Sequence, residues 1–312
     1  MTPIFIPSYH RADNIKTAKY LHRMGYDMRD VYVFIDDEGG DETKYREACE
    51  RFGCNLVVFS LREARKKYDF VHRPSKAQRA AGQARNMFAD WAKAHNIDFY
   101  CVQDDDTTGF EMKSGEHRVM LSADELPVLT TTFMYVERMM RKRLIGCFAI
   151  GQSGDLIGGE SSFAIYKRKV MNCTFYLPEF IQAGERGVQD DDTSQFCSIW
   201  NEGLFTGTTL KGLILHQMQS ATQKGGLTDL YNECKLLNKA LVCVIQYPSA
   251  VIAERQKKNG NRIHHRINYR YLAPCILKGG ERDNIAWDTY PEDVPFTSKP
   301  TRVRSDEERG YL

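Results

Sequence analysis

The stretch DFYCVQDDDT, residues 98–107, decides the fold. Phe99 to Val102 form a short apolar run of strand-forming residues, and Asp104, Asp105 and Asp106 follow it almost at once. Such a run suits a strand of a helix-covered sheet, so the acids leave at the strand's carboxyl end. Three more runs of this kind lie upstream, at 3–7, 31–35 and 55–59, and they alternate with amphipathic stretches at 14–24, 42–52 and 76–94. The last stretch carries Ala80, Ala81, Ala84, Met87, Phe88 and Trp91 at helical spacing. This alternation is the βαβ pattern of a mostly parallel sheet, and right-handed crossovers bring the strand ends to one edge. Open α/β sheets bind ligands at that edge, where Ser8, Asp36, Asp37 and Asp104 to Asp106 fall. The second half is less regular, with helices expected near 125–143 and 192–202 and strands near 145–150 and 161–166. The tail after Tyr290 is polar and proline-containing, which suits an arm better than core.

The chain of 312 residues, 42% apolar and 11% aromatic, is long enough to bury one substantial core. No run approaches the roughly 18 apolar residues of a membrane helix, and the N-terminus lacks a secretory pattern. A cytoplasmic protein with no membrane partner is therefore the expectation. Nine scattered cysteines without a CxxC pair read as reduced thiols. The net charge is only +2, but residues 61–85 and 250–282 each hold eight Lys/Arg against two acids, leaving the remainder at −10. A polyanionic partner and a solvated basic face both account for this asymmetry. Nothing in the sequence fixes an oligomeric state.

The hexapeptide VQDDDT occurs twice, at 102–107 and 188–193, between unlike flanks. In the first copy Asp104 and Asp106 offer oxygens that suit a hard cation, Mn²⁺ or Mg²⁺; the bland alternative is a solvated acidic turn. The second copy precedes Phe196, Ile199 and Trp200 at helical spacing and so opens a helix. There Asp190 or Asp191 is a cap, or one of Asp190, Asp191 and Asp192 is a general base. His216 follows an apolar run and completes a possible metal shell, while Lys224, before two glycines, suits contact with phosphates.

Taken in order, PSYHR (7–11), Asp36-Asp37, GQARN (82–86), the first DDD, the later acidic helix start and the late histidine resemble the GT-A glycosyltransferases. The resemblance implies a GT-A type, Rossmann-like α/β fold, with a mostly parallel nucleotide-binding sheet, a mixed acceptor half and a C-terminal α+β appendage. It implies a catalytic domain over 1–222, divided at residue 107, then a basic appendage over 223–290 and a polar tail over 291–312. It further implies that Pro7, Ser8, Tyr9, Arg11 and Asp36 hold the nucleoside of a UDP-sugar, with Asp37 and Asp105 in the same site. Arg85 and Asn86 would meet the base or sugar, Asp104 and Asp106 the metal, and Asp191 the acceptor's proton; inversion rests on that base, and a retaining course stays open if the Asp190 to Asp192 cluster is only a cap.

The compact size, the second VQDDDT and the basic C-terminal region resemble more narrowly the TET/JBP-associated glycosyltransferases of bacteriophages, which act on hydroxymethyl-pyrimidines in DNA. That implies DNA as acceptor, with Arg262, Arg266, Tyr269 and Arg270 of RIHHRINYRY (262–271) on the nucleic acid. The competing reading of this stretch is a strand whose Ile263 and Ile267 face the core. Protein, lipid or small-molecule acceptors stay open, as does the identity of the sugar. A nucleotidyltransferase would bring a glycine-rich loop after the first strand, and PSYHRADN has no glycine. A non-catalytic nucleic-acid-binding module would leave the ordered acidic motifs unexplained.

Overall fold

The computed structural model describes residues 1–67, 81–114, 117–142, 145–152, 169–180, 190–217, 239–256 and 262–272. Its first half alternates β1 (Ile4–Pro7), α1 (Lys16–Arg23), β2 (Val31–Asp36), α2 (Glu42–Phe52), β3 (Asn55–Phe59), α3 (Leu61–Lys67), α4 (Ala81–Ala94) and β4 (Tyr100–Val102). These four strands pair in parallel in the order β3-β2-β1-β4. The chain builds outward from β1 to one side and then returns to place β4 on the other. A crevice opens at such a reversal, beyond the carboxyl ends of β1 and β4.

The second half extends the sheet to nine strands, in the order β3-β2-β1-β4-β8-β7-β9-β5-β6. Its elements are β5 (Thr107–Ser114), β6 (His117–Met120), α5 (Leu126–Lys142), β7 (Ile145–Gln152), β8 (Thr174–Tyr176), α6 (Asp191–Asn201) and β9 (Phe205–Gln217). β7 and β9 run parallel, whereas β8 is antiparallel to β4 and β7, and β5 to β6 and β9. The expected mixed half is thus present beside a wholly parallel one.

Side-chain alternation on β1 explains how both sheet faces are covered. Ile4 and Ile6 join a core shared with α1, α2 and α5, while Phe5 faces α4. The Phe5 ring stacks on Tyr100 at 4.6 Å and meets Phe88 and Trp91 of α4 edge-on. This aromatic layer fixes the height of α4 over β1, and with it the position of Arg85 one turn before Phe88.

A separate antiparallel pair, β10 (Val251–Gln256) and β11 (Arg262–Ile267), follows a helical segment at 239–246. Cys243, Ala250 and Val251 belong to the same core as Ile4 and Phe196, so this region packs into the main body. The expected domain boundary at 222, the strand at 161–166 and the tail at 291–312 lie outside the described residues.

Candidate active site

The crevice at the β1/β4 reversal is a cavity of about 260 Å³ whose lining includes Pro7, Ser8, Tyr9, Arg11, Asp36, Arg85, Asp104 to Asp106 and Asp190 to Asp192. Most of the residues expected at the site are therefore brought together. Two are set apart: Asp37 accepts the amide N–H of Leu61 at 2.9 Å and caps α3, and Asn86 is buried. Neither lines the cavity.

The first acidic turn is built as a brace as well as a binding edge. Asp105 is buried and accepts from Ser8 Oγ at 2.6 Å and from Arg11 Nη1 at 2.5 Å. Arg11 also lies 3.8 Å from Asp106. Tyr45 ties the same loop, its hydroxyl meeting Ser8 Oγ at 2.8 Å and accepting the Arg11 amide at 2.9 Å. From α1, Thr17 Oγ1 donates to the Asp104 carbonyl and accepts from the Thr107 amide. The middle acid and Arg11 are thus engaged with each other, a buried pair whose breaking costs about 3–5 kcal/mol. Asp104 and Asp106 remain as the outer pair of the turn.

Arg85 joins the two acidic turns. Its Nη2 donates to Asp104 Oδ1 at 2.7 Å, and its Nη1 donates to Asp191 Oδ2. The pKa of Asp104 is pushed up to about 6, mainly by burial, with Arg85 opposing and the charges of Asp106 and Asp191 adding to the rise. A buried crowd of carboxylates favours protonation unless a cation relieves it. Here one guanidinium supplies part of that relief.

Asp190 precedes α6 in a left-handed conformation, φ 59° and ψ 36°, and its side chain makes no capping bond. The helix start is closed instead by the Asp190 carbonyl, which accepts from the amides of Thr193 and Ser194. Its carboxylate accepts from Thr193 Oγ1 at 2.9 Å and lies 2.8 Å from His265 Nδ1, off the axis that a directed hydrogen bond needs. Lys169 Nζ sits 2.7 Å from Asp192 and 3.9 Å from Asp190. Burial alone would raise Asp190, but His265 and Lys169 overcome it and hold the carboxyl below its usual range. Asp192 is raised, by burial first, with Lys169 opposing.

Lys169 and His265 were not singled out in the sequence. His265 had a legible signal, because it alternates with Ile263 and Ile267 and so shares their inward face. Lys169 had none, since its partners lie more than a strand away in the chain. On the hairpin, Arg266 lies on the face opposite His265, is exposed, and donates to Glu254 at 2.7 Å. The side chains of Arg262, Tyr269 and Arg270 lie outside the described residues, as does Lys224. His216 is paired with Gly109 in the β5–β9 register, three residues beyond Asp106, and its side chain too is outside the description.

No helix among the described residues is long and apolar enough to cross a membrane. No curated protein matches the chain. Among solved structures, glucosyl-3-phosphoglycerate synthase from Mycobacterium tuberculosis, in complex with Mg²⁺ and UDP, is similar at 10% identity and a TM-score of 0.45, covering 86% of this chain and 91% of that one. The mannosyltransferase PcManGT from Pyrobaculum calidifontis, in complex with GDP-Man and Mn²⁺, is similar at 11% identity and a TM-score of 0.46, covering 79% of this chain and 63% of that one. The model of the TET-associated glycosyltransferases matches residues 2–226, a span that takes in the whole nine-stranded sheet and both acidic turns, and the chain belongs to that family of glycosyltransferases.

Proposed function

We propose that this glycosyltransferase moves a sugar from a UDP-sugar to a hydroxymethyl-pyrimidine of DNA, with inversion, and that a divalent cation, Mn²⁺ or Mg²⁺, assists. The observation that carries the reading is the contact of one guanidinium, Arg85, with both Asp104 and Asp191. It brings a cation-binding edge and a candidate base to the same cavity at the sheet's switch point.

The donor set fits a hard cation. Mg²⁺ and Mn²⁺ need only one or two protein carboxylates, with substrate phosphates and water completing the shell. Burial and the charges of Asp106 and Asp191 push the Asp104 carboxyl up, an environment that a bound cation would relieve. Asp104 and Asp106 would hold the ion, and His216, on β9 opposite Gly109, is the proposed third ligand. When bound, it neutralises charge that grows on the leaving diphosphate.

The chain's own residues supply the rest. Ser8, Tyr9, Arg11 and Asp36 line the nucleoside end of the cavity, and Ser8 and Arg11 hold the loop rigid through Asp105. Asp191 accepts the proton of the acceptor hydroxyl as its oxygen bonds to the anomeric carbon. The bond from that carbon to the phosphate oxygen breaks, and UDP departs with the electron pair. The family name and the basic segment at 250–282 support DNA as the acceptor.

The test is release of UDP from a panel of UDP-sugars, with Mn²⁺ or with excess EDTA, in the presence of hydroxymethylated DNA. Release should depend on both metal and DNA. Undiminished release in EDTA would overturn the metal role, and stimulation only by proteins or small alcohols would overturn the acceptor.

A further inference from the structure

Asp190 is held from four directions. Its Oδ2 faces His265 of β11 at 2.8 Å, its Oδ1 accepts from Thr193 at 2.9 Å, Lys169 stands 3.9 Å away, and Cys243 Sγ donates to its carbonyl at 3.5 Å. His265 Nε2 closes a small ring by meeting Thr193 Oγ1 at 3.3 Å. His265 is itself buried, and the Asp190 side chain is fully enclosed. A left-handed backbone at a non-glycine residue is costly and persists where its surroundings over-determine it. Here those surroundings come from three separate parts of the chain. The next residue is Asp191, and its direction into the cavity toward Arg85 follows from the backbone turn at Asp190.

We propose that His265, acting on Asp190 together with Lys169, is a positioning residue for sugar transfer: the clamp fixes the turn that aims Asp191, which makes the β10–β11 hairpin a required part of the active site. This inference rests on Asp191 as the base. On the hairpin His265 is buried against the helix start, while Arg266, next in sequence, is exposed. A base displaced by about an ångström loses on the order of a hundredfold in rate while the donor site stays intact.

The experiment is a double-mutant cycle with His265→Leu and Asp191→Asn in the full chain, read as kcat, as KM for the UDP-sugar and as UDP affinity by calorimetry. His265→Leu should lower kcat about tenfold to a hundredfold with donor KM and UDP affinity unchanged. In the Asp191→Asn background the same change should have no further effect, because both act through one group. His265→Asn, whose amide N–H stands near the place of Nδ1, should recover much of the loss. Should His265→Leu fail to fold, Thr193→Val removes the hydroxyl that links Asp190 to the imidazole and should lower kcat in the same selective way. If Asp191→Asn is slow but the His265 effect is absent, or adds in full to it, the positioning role is wrong and the base stands. If Asp191→Asn transfers sugar at the parental rate, the base reading and this inference fall together.

Discussion

At Asp104, burial and charge compete within one side chain. Its folded pKa, near 6, lies above the roughly 3.9 of an unfolded aspartate. The sign follows: this group favours the folded state below pH 4, and that contribution is lost as pH rises through 6, so its ionised form costs stability at neutral pH. Asp104→Asn should therefore melt no lower than the parent in metal-free buffer at neutral pH. Donor binding and turnover should nonetheless fall by about a hundredfold or more, since the cation contributes several kcal/mol to the leaving group. Unfolding of the variant in calorimetry, or full activity, would point to a purely structural acid. Asp190 has the opposite sign. Its depressed pKa gives stability above the unfolded value near 4, which is lost as pH falls toward the folded one. Acid titration of Asp190→Asn should accordingly show a shallower loss of stability below about pH 4 than the parent does. Equal slopes would mean that His265 and Lys169 hold nothing there.

At the scale of elements, α4 carries Arg85 and Phe88 on successive turns, so packing and site geometry are linked. Phe88 is fully buried against Phe5 and Phe34. Phe88→Ala should lower unfolding free energy by about 3–5 kcal/mol, measured by urea titration, and should slow transfer because Arg85 loses its footing. For the hairpin and the short helix Tyr269–Leu272 that follows it, changing Arg262, Arg266 and Arg270 to Gln should reduce the slope of log DNA affinity against log salt by up to about 2.7, at roughly 0.9 per phosphate contact. An unchanged slope would leave these arginines as a solvated face. The elements also show what the sequence made legible. β1 to β3, α2 and α6 fall where continuous apolar runs or helical periodicity put them, although β3 has no fully buried residue and α6 buries Thr193, Ser194, Gln195 and Ser198 beside its apolar face. β8 is only three residues long, and β9 mixes glycine and threonine with its apolar residues, so their strand character comes from the neighbours that flank them. α3 is a charged heptapeptide that read as part of a basic segment, and Asp37 looked like a site residue because the helix it caps was not recognised.

For the whole molecule, the site was legible as far as it depends on where strands end. Strand order alone carries Ser8, Asp36 and Asp104 to one edge, and no side-chain detail is needed. What could not be read is the pairing across that edge, Arg85 with Asp104 and Asp191, and Lys169 and His265 with Asp190, because each contact joins segments far apart in sequence. The same long-range packing brings Cys243, Ala250, Val251 and Leu272 into one core with Ile4 and Phe196. In the proposed reading a sugar donor lies at the sheet edge and the basic segment at 250–282 meets a polyanionic acceptor. The most direct measurement is mass analysis of nucleosides after incubating hydroxymethylated DNA with the protein, Mn²⁺ and a UDP-sugar. The account predicts a hydroxymethyl-pyrimidine nucleoside heavier by one sugar residue, present with the parent and Mn²⁺, strongly reduced with Asp104→Asn, and missing from unmodified DNA. Nucleosides of unchanged mass with every UDP-sugar tried, under conditions where the protein still releases UDP, would contradict it.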